Sequence, residues 1–161
     1  MTRSVKAPIA TRDWLLDDTL APDTADESMY EFYAAAARGE LILPFCAGCQ
    51  STLDLEQAVC DRCGSFDSDW RRVDLVGTVH SATTMHRFEP GLVKTQHPYP
   101  ILDIELTSGH RLIMTTLDPT SATPRIGSEV GIAFRNLGGV AIPAAYSPVQ
   151  NTAPNETEAR P

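Results

Sequence analysis

The chain has 161 residues, about the length of one domain, which leaves little room for a large enzyme core with a separate cofactor domain. Its 42% hydrophobic and 21% charged residues are ordinary for a globular protein. The net charge of −8 argues against a protein that covers nucleic acid or an anionic membrane, since both require a basic surface. Because the sequence shows no long apolar run and no apolar leader near Met1, we expect a cytoplasmic location and no membrane partner.

The two ends of the chain differ in composition from its middle. Residues 1–26 are rich in aspartate and include Pro8 and Pro22, so we predict an extended acidic arm. The triplet Trp14-Leu15-Leu16 is the apolar exception in this arm and is a candidate anchor for a partner protein. Residues 148–161 show no hydrophobic periodicity, which predicts a disordered tail.

One helix is predicted within residues 27–40. Apolar side chains recur there with the spacing of a single helical face, at Met29, Phe32, Tyr33 and Ala36. Two capping-box pairs favour a start near residues 25–28, namely Thr24 with Glu27 and Ser28 with Glu31. Gly39 follows the last turn, as expected for the end of a helix.

Residues 71–147 carry a strand-like pattern instead. Strands are predicted in five segments: Val73–Phe88, Ile101–Leu106, Arg111–Leu117, Val130–Phe134 and Val140–Tyr146. Gly77 is predicted to mark a bulge or bend, and turn signals stand at Ser108-Gly109 and Gly138-Gly139. Short strands with glycine turns and no helical pattern between them predict an OB-fold-like five-stranded β-barrel.

The four cysteines lie in residues 41–70 as two C-x2-C pairs, separated by ten residues: Cys46, Cys49, Cys60 and Cys63. Each pair can turn around a metal ion so that both thiolates converge, and two such turns supply a tetrahedral four-thiolate site. We therefore predict a structural zinc ribbon with one Zn²⁺ per chain, and a mainly β fold that combines one N-terminal helix, the ribbon and the barrel. Gly48 and Gly64 stand where the two turns need a relaxed backbone.

Two other interpretations of the cysteines remain open, a rubredoxin-like redox iron and four buried thiols without metal. A closed site of four thiolates leaves no position for substrate, so the metal is expected to order this segment rather than to react. Zinc ribbons also occur in nucleic-acid-binding proteins. Here residues 44–70 carry five acidic groups and a single basic one, Arg62, a balance that repels phosphate.

The order of these segments resembles the DUF35 family. The resemblance spans residues 29–147 and rests on the cysteine pairs together with Ala37-Arg38-Gly39-Glu40-Leu41, the run Trp70…Gly77-Thr78-Val79-His80-Ser81, the segment Pro98–Leu106 and the segment Arg125–Val130. The family pairs a rubredoxin-like zinc ribbon with an OB-fold that is associated with acyl-CoA.

The resemblance implies an accessory role. Family members bind thiolase-superfamily enzymes that form or cleave carbon–carbon bonds in acyl-CoA substrates, as in steroid side-chain degradation, or that transfer acyl groups. The partner would supply the catalytic cysteine and histidine, and this chain would bridge or complete the active site. It is then no enzyme on its own, and a CoA thioester would be shared with the partner.

The sequence holds no nucleophile motif, phosphate-binding loop or dinucleotide fingerprint. His80 and His86 would share one face of a regular strand, but side chains in such positions are more often solvated than catalytic. A CoA phosphate would have to be met by basic residues of the barrel region. The candidates are Arg71, Arg72, Arg87 and Lys94, of which the last two flank a long loop at residues 89–97.

A partner interface is expected on the ribbon and barrel together. The ribbon has more apolar side chains than one metal site needs to bury: Leu41, Leu43, Phe45, Leu53, Leu55 and Phe66. Two copies of this chain flanking a thiolase dimer would form a heterotetramer. For the interface, the alternative is a ribbon that packs on its own barrel. For the function, the alternatives are a single-stranded nucleic-acid-binding OB protein and a stand-alone acyl-CoA-binding module.

Overall fold

The computed structural model describes residues 7–25, 27 and 29–148. It contains one short α-helix, α1 (Tyr30–Ala36), and seven strands. The strands are β1 (Ile42–Cys46), β2 (Ser68–Arg72), β3 (Val76–Met85), β4 (Tyr99–Leu106), β5 (Arg111–Met114), β6 (Glu129–Leu137) and β7 (Val140–Tyr146). The predicted fold class is confirmed: a helix, a four-cysteine ribbon and a five-stranded, nearly closed barrel.

Helix α1 buries the face that its apolar spacing predicts. Met29, Phe32 and Ala36 are at most 8% exposed and join the main core. The helix is shorter than the predicted segment 27–40 because residues 37–39 form a turn, in which Gly39 adopts a φ of 73°. Of the two proposed caps, Ser28 lies outside the described residues, and no side chain caps the first turn at Met29.

Strands β1 and β2 form a separate antiparallel sheet, which carries the cysteine loops at one end. Ile42 pairs with Arg72 at one end of this ladder, and Cys46 pairs with Ser68 at the other. Leu41 and Leu43 are fully buried against barrel residues. The ribbon therefore packs on its own barrel.

The barrel sheet has the strand order β5-β4-β3-β6-β7, with every neighbouring pair antiparallel. The chain closes the sheet just after β5, where Thr116 forms a parallel bridge with Ala145 of β7. Amide-to-carbonyl bonds of 2.8 Å from Leu117 to Ala145 and 2.9 Å from Ala145 to Thr115 complete that contact. The result is a five-stranded Greek-key barrel of the OB type.

Strand β3 bends at a different place from the one predicted. Its register on β4 shifts between Val79 and Ser81, which places a bulge at His80. Gly77 instead allows close packing, because a Cβ there would lie 2.6 Å from Ile104 Cγ2 and 2.8 Å from the Glu105 carbonyl oxygen. The bulge, together with the end of β3 at Met85, removes the strand alternation that would place His80 and His86 on one face.

The N-terminal segment, residues 7–25, lies along the barrel. Ile9 bridges Phe134 of β6, and Trp14 donates its Nε1–H to the Thr116 carbonyl oxygen at 2.9 Å. Leu15 is 3% exposed, and Trp14 and Leu16 are half-buried, so this apolar triplet packs largely against its own chain. The predicted tail lies outside the described residues except for Pro148.

A buried ion pair fixes this segment to the barrel. Asp13 Oδ2 lies 2.6 Å from Arg135 Nη1, and the two side chains are 0% and 5% exposed. Asp13 Oδ1 also accepts hydrogen bonds from the backbone amides of Leu15 and Leu16, at 2.8 and 2.7 Å. Burial lowers the pKa of Arg135, and the charge of Asp13 acts in the opposite direction.

Candidate metal centre and its surroundings

The four cysteine sulfurs converge at one end of the ribbon sheet. Their Sγ atoms all lie within 4.8 Å of one another. The Sγ atoms of Cys46 and Cys63 are 3.4 Å apart, and those of Cys49 and Cys60 are 3.7 Å apart. Thiolates about 2.3 Å from one tetrahedral zinc ion stand about 3.8 Å from each other, so the cluster is compatible with a zinc site.

The two cysteine turns are built alike. The amide of Cys46 donates to the Ser51 carbonyl oxygen at 2.8 Å, and that of Cys60 donates to the Ser65 carbonyl oxygen at 2.9 Å. The residue after each second cysteine adopts a left-handed backbone, with φ 63° at Gln50 and 74° at Gly64. Gly64 thus has the predicted conformational role. Gly48 has no positive φ and packs closely instead, since a Cβ at this position would lie 3.3 Å from Ser65 Cβ.

The surroundings of the sulfurs favour thiolate at one position and oppose it at another. The hydroxyl of Ser51 and backbone amides lower the pKa of Cys60 to about 6. The Ser65 amide lowers the pKa of Cys63, but the sulfurs of Cys46 and Cys49 outweigh it and raise that pKa to about 12. Four adjacent thiolates repel one another, and a bound divalent cation would offset that repulsion.

His110, which the sequence analysis did not single out, links the barrel to strand β1 of the ribbon. It is 5% exposed, its Nε2–H donates to the Pro44 carbonyl oxygen at 2.9 Å, and its Nδ1 lies 2.9 Å from Ser108 Oγ. Its ring meets that of Phe45 edge-on at 4.8 Å. Burial lowers the pKa of His110 and favours the neutral ring, while the hydrogen bond to Pro44 acts in the opposite direction.

The four basic candidates for CoA phosphate lie on two separate elements, and each has a carboxylate partner. Arg71 and Arg72, on β2, contact Asp69 at 3.0 Å and Glu40 at 2.6 Å. In the segment between β3 and β4, Arg87 lies 2.9 Å from Glu89, and Lys94 lies 3.4 Å from Asp18. Arg87 is the most accessible, with a side chain that is 72% exposed, against 54% or less for the other three. A phosphate group would therefore have to compete with carboxylates.

Other titratable side chains form exposed pairs. His80 Nδ1 lies 3.6 Å from Glu105 Oε2, and both side chains are about half exposed.

An open groove of about 650 Å³ runs between α1 and the ribbon and is lined by Met29, Tyr33, Asp54, Leu55, Glu56 and Gln57. No helix in the described part of the chain is long and apolar enough to cross a membrane.

Most of the apolar surplus of the ribbon is covered by the chain itself. Leu41, Leu43 and Leu53 are buried, while Phe45 and Leu55 pack partly buried against the main core. Phe66 differs, because it is 78% exposed. Of these six side chains, Phe66 is therefore the one left for a partner to cover.

Comparison with families of known proteins gives no matching family model. A curated relative from Thermomonospora curvata, described as a probable enoyl-CoA hydratase alpha subunit, is 33% identical over 101 residues. The match covers 62% of this chain and 30% of the relative, so the chain spans about a third of that protein's length.

Two solved structures share the fold. A chain of the Ltp2-ChsH2(DUF35) aldolase aligns with a TM-score of 0.64 and 24% identity, over 78% of this chain and 97% of that one. A DUF35 protein of unknown function from Sulfolobus solfataricus aligns with a TM-score of 0.51 and 15% identity, over 66% and 78%. The likeness to both is one of fold, and it confirms the predicted resemblance.

Proposed function

We propose that this chain, whose fold is that of the DUF35 proteins, is the non-catalytic zinc-ribbon and OB-fold subunit of a thiolase-superfamily enzyme that acts on acyl-CoA thioesters. The observation that carries the proposal is the likeness to a chain of an aldolase whose name joins Ltp2 to a DUF35 protein. The alignment covers 97% of that aldolase chain and 78% of this one. The partial match to a probable enoyl-CoA hydratase subunit supports an acyl-CoA context.

The metal centre supports an accessory role as well. Four cysteine ligands fill a tetrahedral zinc shell, so no corner is left for a substrate or an activated water. Bound zinc would supply cross-linking and charge balance to the ribbon. The residues that would hold it are Cys46, Cys49, Cys60 and Cys63.

The proposal extends to the reaction of the partner enzyme and to the stoichiometry of the complex. We infer a partner that forms or cleaves a carbon–carbon bond, as in the degradation of steroid side chains or aromatic compounds, and two copies of this chain on a partner dimer. Arg71, Arg72, Arg87 and Lys94 remain the candidates for a CoA phosphate. Arg87 is the first to test because it is the most exposed of them.

The alternative of single-stranded nucleic-acid binding has less support. OB-folds bind such ligands with the loops at one end of the barrel. Here the β6–β7 turn is covered by the acidic N-terminal segment, since a Cβ at Gly138 would lie 2.6 Å from the Asp18 carbonyl oxygen. Carboxylates beside that turn would repel a phosphate backbone.

Co-expression with a candidate thiolase-superfamily partner from the same organism tests the proposal. We expect a two-plus-two complex by light scattering, and acyl-CoA turnover that needs both proteins. Phe66→Ser should weaken the complex, whereas Tyr30→Ser, at a side chain that is 61% exposed on α1, should not. Turnover by this chain alone, full activity of the partner alone, or tight oligonucleotide binding would each contradict the proposal.

A further inference from the structure

Strand β3 leaves part of one edge unpaired. Its first residues pair with β6 as far as Thr78, and Val79 then bonds to the loop before β6, accepting from the Gly127 amide at 2.8 Å and donating to the Ser128 carbonyl oxygen at 3.0 Å. From Ser81 to Met85, β3 pairs with β4 on one side, while none of the described residues pairs with the other side. The backbone groups along that edge are open to a further strand.

The sequence of this edge lacks the usual protection against pairing. Residues 81–85 read Ser-Ala-Thr-Thr-Met, with neither a charged side chain nor a proline. Four of the five are exposed, and Ala82 is half-buried. Native proteins commonly place lysine or proline on such an edge to prevent pairing with another chain. An uncharged, extended edge therefore favours strand addition.

We propose that this edge pairs with the same edge of a second copy of the chain, antiparallel about a two-fold axis at Thr83. In that register Thr83 faces Thr83 of the copy, Ala82 faces Thr84, and Ser81 faces Met85. No like charges meet, and threonine pairs across strands are favourable. A two-fold interface requires such self-complementarity.

Exposed apolar side chains at both ends of the edge give a second, independent reason for a second copy. Ile126, 66% exposed, stands in the loop that closes the edge at Val79. Met85 and Phe88, 39% and 44% exposed, stand at the opposite end. Antiparallel pairing brings the end of one copy that carries Ile126 to the end of the other that carries Met85 and Phe88. Apolar contacts would then flank the backbone pairing on each side.

The pairing is short, so the dimer should be weak and its population should depend on concentration. Sedimentation of the full chain from micromolar to millimolar concentration should show a mass rising from 17.5 kDa toward twice that value. Thr83→Lys and Thr83→Glu should each abolish the rise, because like charges would face each other at the axis. An equimolar mixture of the two variants should restore it in low salt.

Thr78→Lys is the matched control, since Thr78 is an exposed residue of β3 with β4 on one side and β6 on the other. It should dimerise as the unmodified chain does, and circular dichroism should show all variants folded. A chain that stays at 17.5 kDa throughout would overturn the proposal, as would a Thr83→Lys variant that still dimerises or a mixture that stays monomeric. If this edge instead paired with the partner enzyme, the isolated chain would stay at 17.5 kDa. The proposed homodimer would then be wrong while the proposed function could still hold, so the two tests are separate.

Discussion

The ribbon and the barrel are stabilised in different ways. The barrel and helix share one core that includes Phe134, Leu102 and Ile132, all 1% exposed or less. The cysteine loops have a buried cluster of only Cys46, Leu53 and Cys60 among the described residues. We therefore expect the cysteine loops to depend on a metal cross-link, and the barrel with its continuous core to fold without one.

The largest expected effect separates these two regions directly. The purified protein should contain about one zinc per chain, and Cys60→Ser, which removes one of the four proposed ligands, should lose both this metal and the cooperative folding of the cysteine loops. Ser65→Ala, beside the same turn, should keep the metal. Elemental analysis and thermal unfolding measure both. Full zinc retention in Cys60→Ser would show that the four sulfurs are not the ligands.

The second effect concerns the buried ion pair between the N-terminal segment and the barrel. Asp13→Ala leaves Arg135 buried without its counter-charge and should lower the free energy of unfolding by about 3–5 kcal/mol. Asp18→Ala removes the exposed pair with Lys94 on the same segment and should cost less than about 1 kcal/mol. Equal losses in urea unfolding would mean that the segment is not fixed by this pair.

The third effect tests the contact between the two regions at His110. His110→Phe removes the hydrogen bonds of the ring to Pro44 and Ser108, and should cost about 1–3 kcal/mol at neutral pH. Because burial lowers the pKa of His110 below its ordinary 6.5, the unfolded chain takes up the proton first as the pH falls. The contribution of neutral His110 to the free energy of unfolding is therefore complete above pH 6.5 and decreases below it. The difference in free energy of unfolding between the unmodified chain and the variant should become smaller in acid. A difference in free energy of unfolding that stays constant between pH 5 and 8 would contradict a neutral buried ring.

The smallest effect compares the two cysteine turns with each other. Gly64→Ala puts a side chain at φ 74° with open space around it, so backbone strain alone should cost about 1 kcal/mol. Gln50→Gly relieves the same strain at φ 63° and should stabilise the ribbon by up to about 1 kcal/mol. Zinc affinity measured by chelator competition should shift in opposite directions for the two variants.

The sequence predicted best what is local. The convergence of the four cysteines and the hairpin turn at Ser108-Gly109 follow from short spacings, and the structure has both. The pairing of Asp13 with Arg135 and the contact of His110 with Pro44 join residues far apart in the chain, and no local pattern marks them. A buried aspartate in an acidic segment has the same sequence signature as an exposed one. The sequence therefore predicts only an extended arm around Trp14, with no sign that this residue contacts the barrel at Thr116.

Hydrogen exchange with and without zinc tests most directly the claim that metal stabilises the ribbon and apolar burial stabilises the barrel. After chelation, amides in the cysteine loops, including those of Cys46 and Cys60, should lose protection. Amides in β3, β4 and β6 should keep theirs, because Val79, Leu102 and Ile132 stay buried in the shared core. Unchanged protection in the cysteine loops, or simultaneous loss throughout the barrel, would contradict that claim.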